Sequence, residues 1–279
     1  MKPESISEQM RFNTVKLETN TGIGTGFFYN FEINGKLYPT IITNKHVINN
    51  KDIEDVKFHL HLKDGLDESN CSIGIYLKAK WYFHSTYDLC FTFVNPLFEE
   101  VKKLTGKDVF YIGNNDSILA TKEKLKDLSA LEEVVMVGYP IGISDDRNNF
   151  PIFRKGYTAS HPAIDFNRNG IGLVDMACFP GSSGSPIFIL NEGGYVDKSG
   201  NLVLGKPRFL FLGILFAGPN YNVIGNVVTQ EVPTSTSITY SKTAIMTNLG
   251  YYIKAEALYE FRDFIKKQWP SFFLVLNKN

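Results

Sequence analysis

Apolar residues along the chain fall into short runs rich in Val, Ile, Phe and Tyr, a pattern that is typical of β-strands. Turn-forming or polar residues separate the runs. The first group of predicted strands lies at 15–18, 26–31, 38–42, 56–62, 73–77 and 89–94. The second group lies at 134–137, 155–159, 171–175, 186–190, 209–216 and 251–255. The pattern predicts an all-β protein with two groups of strands.

Helical periodicity is limited to a few segments. Residues 97–104 and 121–131, which lie between the two groups of strands, are predicted to be helical. Residues 255–265 place apolar side chains on one face of a helix, which predicts an amphipathic C-terminal helix. That face consists of Ala257, Leu258, Phe261, Phe264 and Ile265. Asn-Gly and Gly-Gly pairs predict hairpin turns at 34–35, 169–170 and 193–194.

Composition excludes several classes of protein. The chain has 29 basic and 29 acidic residues among 279, so no general attraction to nucleic acid or to an acidic membrane is expected. The N-terminus lacks the apolar core of a signal peptide, and no run is apolar enough to span a bilayer, so we expect a cytoplasmic protein. Three cysteines, Cys71, Cys90 and Cys178, do not suggest a disulfide framework, and the last two lie in an apolar context typical of buried thiols.

Residues 181–186 (Gly-Ser-Ser-Gly-Ser-Pro) form the most informative short segment. A serine flanked by glycines suits a nucleophile that backbone amides must approach closely, because glycine adopts conformations that side chains obstruct. Ser183 is therefore the candidate nucleophile, and the N–H groups of Gly181 and Ser183 are candidate donors of an oxyanion hole. For this segment taken alone, a plain Gly/Ser turn is the alternative.

Acyl transfer at a serine requires a histidine base and an acid that orients it. Among the histidines, His46 follows a β-branched apolar run where a predicted strand meets a turn, which suits a catalytic base. His59 and His61 alternate with apolar residues and are expected on the solvated face of a strand. His84 and His161 are isolated in loop-like sequence. Because no histidine has the spacing of a zinc site, no metal is expected.

Asp88 places one carboxylate at the start of the strongly apolar strand 89–94, where a charge needs a partner. A turn aspartate is the alternative for Asp88 alone. The three candidates His46, Asp88 and Ser183 follow one another along the chain in the order found in chymotrypsin-like proteases.

Further motifs resemble those of the HtrA/Deg-type trypsin-like serine proteases. Residues 24–28 (Gly-Thr-Gly-Phe-Phe) and 43–47 (Thr-Asn-Lys-His-Val) resemble the opening of that family, and 88–89 its acid motif. Residues 137–142 (Val-Gly-Tyr-Pro-Ile-Gly) resemble its Gly-x-Pro-x-Gly turn, and 175–186 resemble the segment around its nucleophile. The resemblance extends to 212–218, the strand that pairs with substrate, and to 250–264, the last strand and helix.

The resemblance implies two six-stranded antiparallel β-barrels, the first over 1–120 with His46 and Asp88, the second over 121–279 with Ser183 and the C-terminal helix. It implies that Ser183 attacks a peptide carbonyl, His46 transfers the proton and Asp88 orients the imidazole, without a metal or organic cofactor. It also implies an uncharged specificity pocket that takes an apolar residue before the scissile bond. The pocket residues are Ala177, Phe216, Ala217, Gly218 and Gly250.

Some positions depart from the family. Ser185 replaces the usual second glycine after the nucleophile. Ser182 stands where secreted trypsins have an aspartate that pairs with a newly cut N-terminus, so activation by such a cut is not expected. The segment 219–249 is longer than the loop of digestive enzymes, and Glu231 is its only acidic residue. No PDZ-like module follows the last predicted helix, so a protease domain alone is expected.

Together these observations predict a cytoplasmic serine endopeptidase that cleaves a specific protein target, for example in bacterial stress or phage defence. Its partners would be a protein or peptide substrate and a regulatory protein, with no nucleic acid or membrane. A peptide-binding protein that keeps the protease fold without turnover is the first alternative. An esterase is the second, although the Gly-x-Ser-x-Gly elbow of α/β-hydrolases is absent around Ser183.

Overall fold

The computed structural model describes residues 2–65, 68, 69, 71–226 and 240–268, with the backbone alone for 220–226 and 240–246. Within these residues the chain forms two β units and four α-helices. The helices are α1 (Ile6–Arg11), α2 (Asn95–Thr105), α3 (Lys122–Lys126) and α4 (Leu258–Gln268).

The N-terminal unit is one antiparallel sheet. Its strands are β1 (Thr14–Thr19), β2 (Gly22–Ile33), β3 (Lys36–Thr43), β4 (Ile53–Leu62), β5 (Cys71–Lys80), β6 (Tyr82–Phe83), β7 (Cys90–Phe93) and β8 (Val109–Phe110). They are ordered β5-β4-β1-β2-β3-β7-β6, and β8 pairs with β4. The sheet curls around a core that includes Leu17, Phe58 and Trp81, all at most 1% exposed. It is a curled half-barrel to which β6 and β8 add two strands that the sequence pattern did not predict.

The C-terminal unit is a closed antiparallel barrel. Its strands are β9 (Glu133–Gly138), β10 (Ile152–Thr158), β11 (Ile171–Asp175), β12 (Pro186–Asn191), β15 (Arg208–Ala217) and β18 (Leu249–Lys254). They close in the order β10-β11-β18-β15-β12-β9. Two hairpins project from the barrel strands, and they consist of β13 (Gly194–Val196) with β14 (Leu202–Leu204) and β16 (Asn220–Asn226) with β17 (Tyr240–Met246).

All twelve predicted strands are present, so the all-β architecture expected from the hydrophobic pattern is confirmed. The helix predicted at 97–104 is α2, and the amphipathic C-terminal helix is α4, preceded by a 3₁₀ turn at Ala255–Ala257. The helix predicted at 121–131 is shorter than expected, since α3 covers Lys122–Lys126. The division at 120/121 stays a prediction; it falls between the end of β8 and the start of β9.

Only one of the three predicted hairpin turns is a hairpin. Asn34 and Gly35 join β2 to β3 with φ of 51° and 73°, as the Asn-Gly pair predicts. Residues 169–170 instead end a long loop between β10 and β11. Gly194 begins β13, and the turn of that hairpin lies at 197–201. There the Asp197 carboxylate accepts the N–H groups of Ser199 and Asn201 at 2.9 and 2.8 Å, which fixes the turn by side-chain hydrogen bonds.

The solvated face expected for His61 is wrong. His61 is 6% exposed, because Phe12 and Phe150 cover the face of β4 that the alternating pattern assigns to solvent. Its Nε2 lies 3.1 Å from the carbonyl oxygen of Asn149. His59, its neighbour on the same face, is half-buried and pairs with a carboxylate at 2.9 Å. Period-two alternation therefore identified the two faces of β4 and did not identify what covers them.

Aromatic packing joins the two units. Phe27 of β2 and Phe211 of β15 are fully buried, with ring centroids 5.3 Å apart. Helix α4 adds Phe261, whose ring lies 4.9 Å from that of Phe91 in β7. Strand β2 of the N-terminal unit is thereby packed against the barrel that carries Ser183, and β7 against the C-terminal helix.

Burial of His61 predicts a pH-dependent stability. Burial lowers the pKa of His61 to about 4. Between pH 6.5 and 4 this histidine is therefore mostly protonated in the unfolded chain and mostly neutral in the folded chain. The free energy of unfolding should therefore fall as the pH falls through this window, by roughly 3 kcal/mol in total. We expect His61→Gln to lack this contribution. Urea denaturation of both proteins between pH 7.5 and 4.5 tests this, and parallel pH profiles would contradict it.

Candidate active site

His46 and Asp88 meet at the ends of two paired strands. Strand β3 ends at Thr43, which pairs with Cys90 of β7, so the residues just beyond these ends are neighbours. His46 lies in the 3₁₀ turn that follows β3. Its Nδ1 is 2.6 Å from Asp88 Oδ2, and its backbone N–H donates to Asp88 Oδ1 at 3.2 Å. Both carboxylate oxygens thus bind one residue, which fixes the orientation of the imidazole.

The carboxylate selects the tautomer of His46. An ionised carboxylate only accepts hydrogen bonds, so Nδ1 carries the proton and donates it to Asp88. In the neutral ring Nε2 then carries the lone pair, and the side chain of His46 is 43% exposed. A neutral imidazole with a free, accessible nitrogen is the form that a general base requires.

Asn44 holds the backbone of the acid, a role that the sequence motif did not reveal. Its side chain is fully buried, and Nδ2 donates to the carbonyl oxygen of Asp88 at 2.7 Å. The contact joins the residue after β3 to the residue at the start of the apolar strand. Asn44 therefore fixes the backbone of Asp88, and the histidine fixes its carboxylate.

His84 organises the loop that leads to Asp88. Its Nδ1 accepts the N–H groups of Thr86 and Tyr87, each at 3.1 Å, and its Nε2 lies 3.2 Å from the carbonyl oxygen of Ala257 just before α4. Burial lowers the pKa of His84, in agreement with a neutral ring whose Nδ1 accepts. This histidine, isolated in the sequence, is a structural link between the acid loop and the C-terminal helix.

Ser183 reaches the same place through backbone contacts. Thr25 of β2 donates its N–H to the carbonyl oxygen of Ser183 at 2.9 Å, and Thr43 Oγ1 donates to the Thr25 carbonyl oxygen at 2.7 Å. Ser183 therefore lies beside the end of β3. That strand ends at Thr43, three residues before His46. Among the described residues, no hydrogen bond links Ser183 Oγ to His46. In free enzymes such bonds are often long and tighten only with substrate.

Two backbone amides of the serine turn are free to bind an oxygen. The N–H groups of Gly181 and Ser183 donate to no acceptor in the described part of the chain. The Pro180 carbonyl accepts from Ile141 N–H at 2.5 Å, and since the peptide bond is trans, the Gly181 N–H points the opposite way. The other amides of the turn are occupied: those of Ser182, Gly184 and Ser185 bind carbonyl oxygens at 3.0, 2.9 and 3.0 Å.

The residues predicted for the specificity pocket lie on adjoining segments. Ala217 of β15 is exposed and pairs with Tyr251 of β18, and Phe216 is half-buried. Gly250 is buried, and a Cβ there would lie 2.5 Å from the sulfur of Cys178. The remaining two are half-buried: Ala177 adjoins Cys178 in the chain, and a Cβ at Gly218 would lie 3.9 Å from Cys178 Cβ. Residues 227–239, which include Glu231, lie outside the described residues.

Arg154 is a charged neighbour of this region that the sequence analysis missed. Its guanidinium lies 5.2 Å from the ring centroid of Phe179, and its Nε is buried without a hydrogen-bond partner among the described residues. Burial raises the pKa of the Cys178 thiol to about 12, and the Arg154 charge opposes this only in part. The thiol therefore stays protonated at neutral pH. No spacing or motif in the sequence marks Arg154, because only the barrel brings β10 to this segment.

Ser182 is fully buried and uncharged, and its Oγ has no partner in the described part of the chain. The described His, Cys, Asp and Glu side chains include no group of three or more that suits a metal ion. No helix among the described residues is long and apolar enough to cross a bilayer.

The conformation of the serine turn predicts that Gly181→Ala is unusually costly. Gly181 has φ +87°, and a Cβ there would lie 2.5 Å from the carbonyl oxygen of Tyr139. Gly200 is a matched control, with φ +86° and open space around it. We expect Gly200→Ala to lower the free energy of unfolding by about 1–2 kcal/mol, and Gly181→Ala by about 1–3 kcal/mol more. Urea denaturation measures both, and equal losses would contradict the clash.

Comparison with known proteins identifies a family. A family model described as the trypsin-like peptidase domain matches residues 24–196. A search of the curated proteins finds no match. Similar solved structures include an inactive form of Rv3671c from M. tuberculosis H37Rv, with 15% identity, a TM-score of 0.45 and coverage of 93% of this chain and 89% of that chain.

Two other structures are a human pathogenic astrovirus serine protease and an inactivated protease paralogue of the scabies mite. The first has 14% identity, a TM-score of 0.42 and coverage of 88% of this chain and 90% of that chain. The second has 9% identity, a TM-score of 0.47 and coverage of 96% and 100%. Since these TM-scores are below 0.5, the assignment rests on the family model. The β topology is chymotrypsin-like, and the chain belongs to the trypsin-like peptidase domain family.

Proposed function

We propose that the protein is a serine endopeptidase in which Ser183 is the nucleophile, His46 the general base and Asp88 the orienting acid. The observation that carries the proposal is the His46–Asp88 pair at 2.6 Å, which leaves Nε2 free beside a serine turn with two unoccupied amides. Gly181 and Ser183, which carry these amides, are both half-buried, and an amide without a protein partner there is satisfied by an oxygen of water or of a ligand.

The geometry supports the following steps. Ser183 Oγ attacks the peptide carbonyl while His46 Nε2 takes its proton, and the new oxyanion accepts hydrogen bonds from the amides of Gly181 and Ser183. Each such donor contributes about 3–4 kcal/mol to the stability of the transition state. Asp88 stabilises the imidazolium, which then protonates the leaving amine. A water molecule, activated by the same histidine, releases the acyl group from Ser183.

The finer assignment is to the HtrA/Deg type. It is supported by the motifs at 24–28, 43–47 and 137–142. The division at 120/121, the cytoplasmic location and limited cleavage of one protein target, in bacterial stress or phage defence, belong to the same proposal. An uncharged Ser182 supports an enzyme that needs no N-terminal cut, so control would fall to a partner protein or to loops such as 219–249.

A catalytically silent peptide-binding protein is the second candidate. The missing hydrogen bond between Ser183 Oγ and His46 fits this candidate as well as it fits a free enzyme. The two candidates differ in one property, the reactivity of the serine. An esterase would share that reactivity and differ only in cleaving esters and not peptides.

Loss of the nucleophile should abolish both labelling and cleavage. We expect Ser183→Ala to remove reaction with a fluorophosphonate probe and to lower peptide cleavage about a million-fold. The free energy of unfolding should change by less than about 0.5 kcal/mol, because surface-accessible changes of this size cost little. Combining Ser183→Ala with His46→Ala should add no further loss, since members of a triad act as a unit.

Ser199→Ala, on the exposed turn of a hairpin, is the control and should label like the wild type. Labelling that persists in Ser183→Ala would remove Ser183 as the nucleophile. A folded wild-type protein that neither labels nor cleaves would establish the silent alternative, and one that labels yet cleaves only esters would establish the esterase.

The pocket residues predict the preferred residue before the scissile bond. Ala177 and Gly250 are small and uncharged, and Phe216 adds apolar surface, so a small or medium apolar residue should dominate a peptide-library profile. Ala177→Asp should shift the preference towards Lys and Arg, because the new carboxylate would pair with their charge. A wild-type profile dominated by Asp or Glu would implicate Arg154, and one dominated by Lys or Arg would implicate Glu231. Either outcome would contradict the apolar assignment.

A further inference from the structure

Thr25 makes four hydrogen bonds, and three of them cross the junction of the two β units. It is fully buried in β2. Its Oγ1 donates to the carbonyl oxygen of Gly181 at 2.9 Å and accepts the N–H of Tyr139 at 3.1 Å. Its N–H donates to the carbonyl oxygen of Ser183 at 2.9 Å, and its own carbonyl accepts from Thr43 Oγ1 at 2.7 Å. All its polar groups are therefore used, and two of them hold the serine turn.

These bonds fix the peptide planes of the turn. The carbonyl groups of the four residues 180–183 are each held by a donor: Ile141 N–H for Pro180, Thr25 Oγ1 for Gly181, Ser185 N–H for Ser182 and Thr25 N–H for Ser183. Because a trans peptide directs its C=O and N–H to opposite sides, a held carbonyl also fixes the amide that follows it. The amides of Gly181 and Ser183 are thus fixed by the bonds to the Pro180 and Ser182 carbonyls. Thr25 holds the 181–182 and 183–184 peptides, the first of them through its hydroxyl, which is the only side-chain donor among the four.

The hydroxyl of Thr25 is what a substitution can remove. Without it, the half-buried Gly181 carbonyl and the buried Tyr139 N–H would both lose their partner. The 181–182 peptide would then be held only by the Ser182 N–H, which donates to the Phe179 carbonyl oxygen at 3.0 Å, and Gly181, with φ +87° and no side chain, offers little resistance to its rotation. Rotation of the 181–182 peptide, which lies between the peptides that carry the two free amides, would change the direction of one amide relative to the other.

We infer that Thr25 is a positioning residue of the oxyanion hole. It holds the 181–182 and 183–184 peptides, which lie on either side of the peptide that carries the Ser183 amide, and the first of them connects that peptide to the one that carries the Gly181 amide. The inference rests on the proposed function. According to this inference, the N-terminal unit supplies the base and the acid, and Thr25 of the same unit also holds the serine turn of the other unit.

Thr25→Val tests the inference, because it keeps the shape of the side chain and removes the hydroxyl. We expect kcat for a peptide substrate to fall about 10–100-fold with KM within twofold, since the lost interaction acts in the transition state. Affinity for a peptide aldehyde, whose adduct with Ser183 carries an oxyanion, should fall by a similar factor. Thr25→Ser should recover both.

Thr40→Val is the matched control, because Thr40 is an equally buried threonine whose hydroxyl donates to a backbone carbonyl, that of Tyr29, at 2.8 Å. It should lose stability like Thr25→Val and keep its kcat. If Thr25→Val does not fold, Thr25→Ala takes its place. An unchanged kcat in the folded variant, or a loss that Thr25→Ser does not recover, would overturn the inference.

A readout without turnover separates this inference from the proposed function. In ¹H–¹⁵N spectra of the free protein, the Gly181 amide signal should shift or broaden in Thr25→Val and return in Thr25→Ser, whether or not the wild type cleaves peptides. Unchanged Gly181 and Ser183 signals in Thr25→Val would overturn the inference that Thr25 positions the oxyanion hole. If the wild type has no activity but the Gly181 signal is displaced in Thr25→Val, the proposed function alone is overturned.

Discussion

Packing of strand β2 against the C-terminal barrel is the contact on which the site depends. The base and acid come from one β unit and the serine from the other. The position of the serine relative to the base and acid therefore depends on how rigidly the two units pack together. Phe27 provides the apolar part of this contact, against Phe211, and Thr25 provides the polar part, two residues earlier in the same strand. Both side chains are fully buried, which makes the junction a continuation of the core.

Histidines in this protein show how environment decides role. His46 is exposed and paired with a carboxylate, and it keeps a free nitrogen. His84 is buried and uses both nitrogens for hydrogen bonds to the backbone, so it holds a loop and has no nitrogen left for chemistry. His61 is buried against aromatic rings, and its lowered pKa makes it a cost to the folded state in acid. The same residue type is thus a candidate base, a link between segments and a neutral part of the core.

The serine turn differs from an ordinary Gly/Ser turn in the way its peptide groups are distributed. The carbonyl groups of residues 180–183 all accept hydrogen bonds from the protein, and the amides of Gly181 and Ser183 have no partner among the described residues. Unpaired amides cost free energy in a folded protein unless a ligand or water satisfies them. An oxygen that develops negative charge is the ligand that gains most from them. This arrangement is the physical basis of the peptidase proposal, and it complements the family assignment.

From the sequence, the apolar runs determined the strands and the amphipathic face of α4, because alternation and helical period are local properties of the chain. Glycines and their neighbours also marked the turn around Ser183, since only glycine tolerates φ +87° there without strain.

Tertiary structure alone decided that Phe12 and Phe150 bury His61, that Arg154 lies beside Phe179, and that the Thr25 hydroxyl binds Gly181. These contacts join residues far apart in the chain. A local pattern shows which face a side chain occupies, but the partner on that face depends on how the two β units pack.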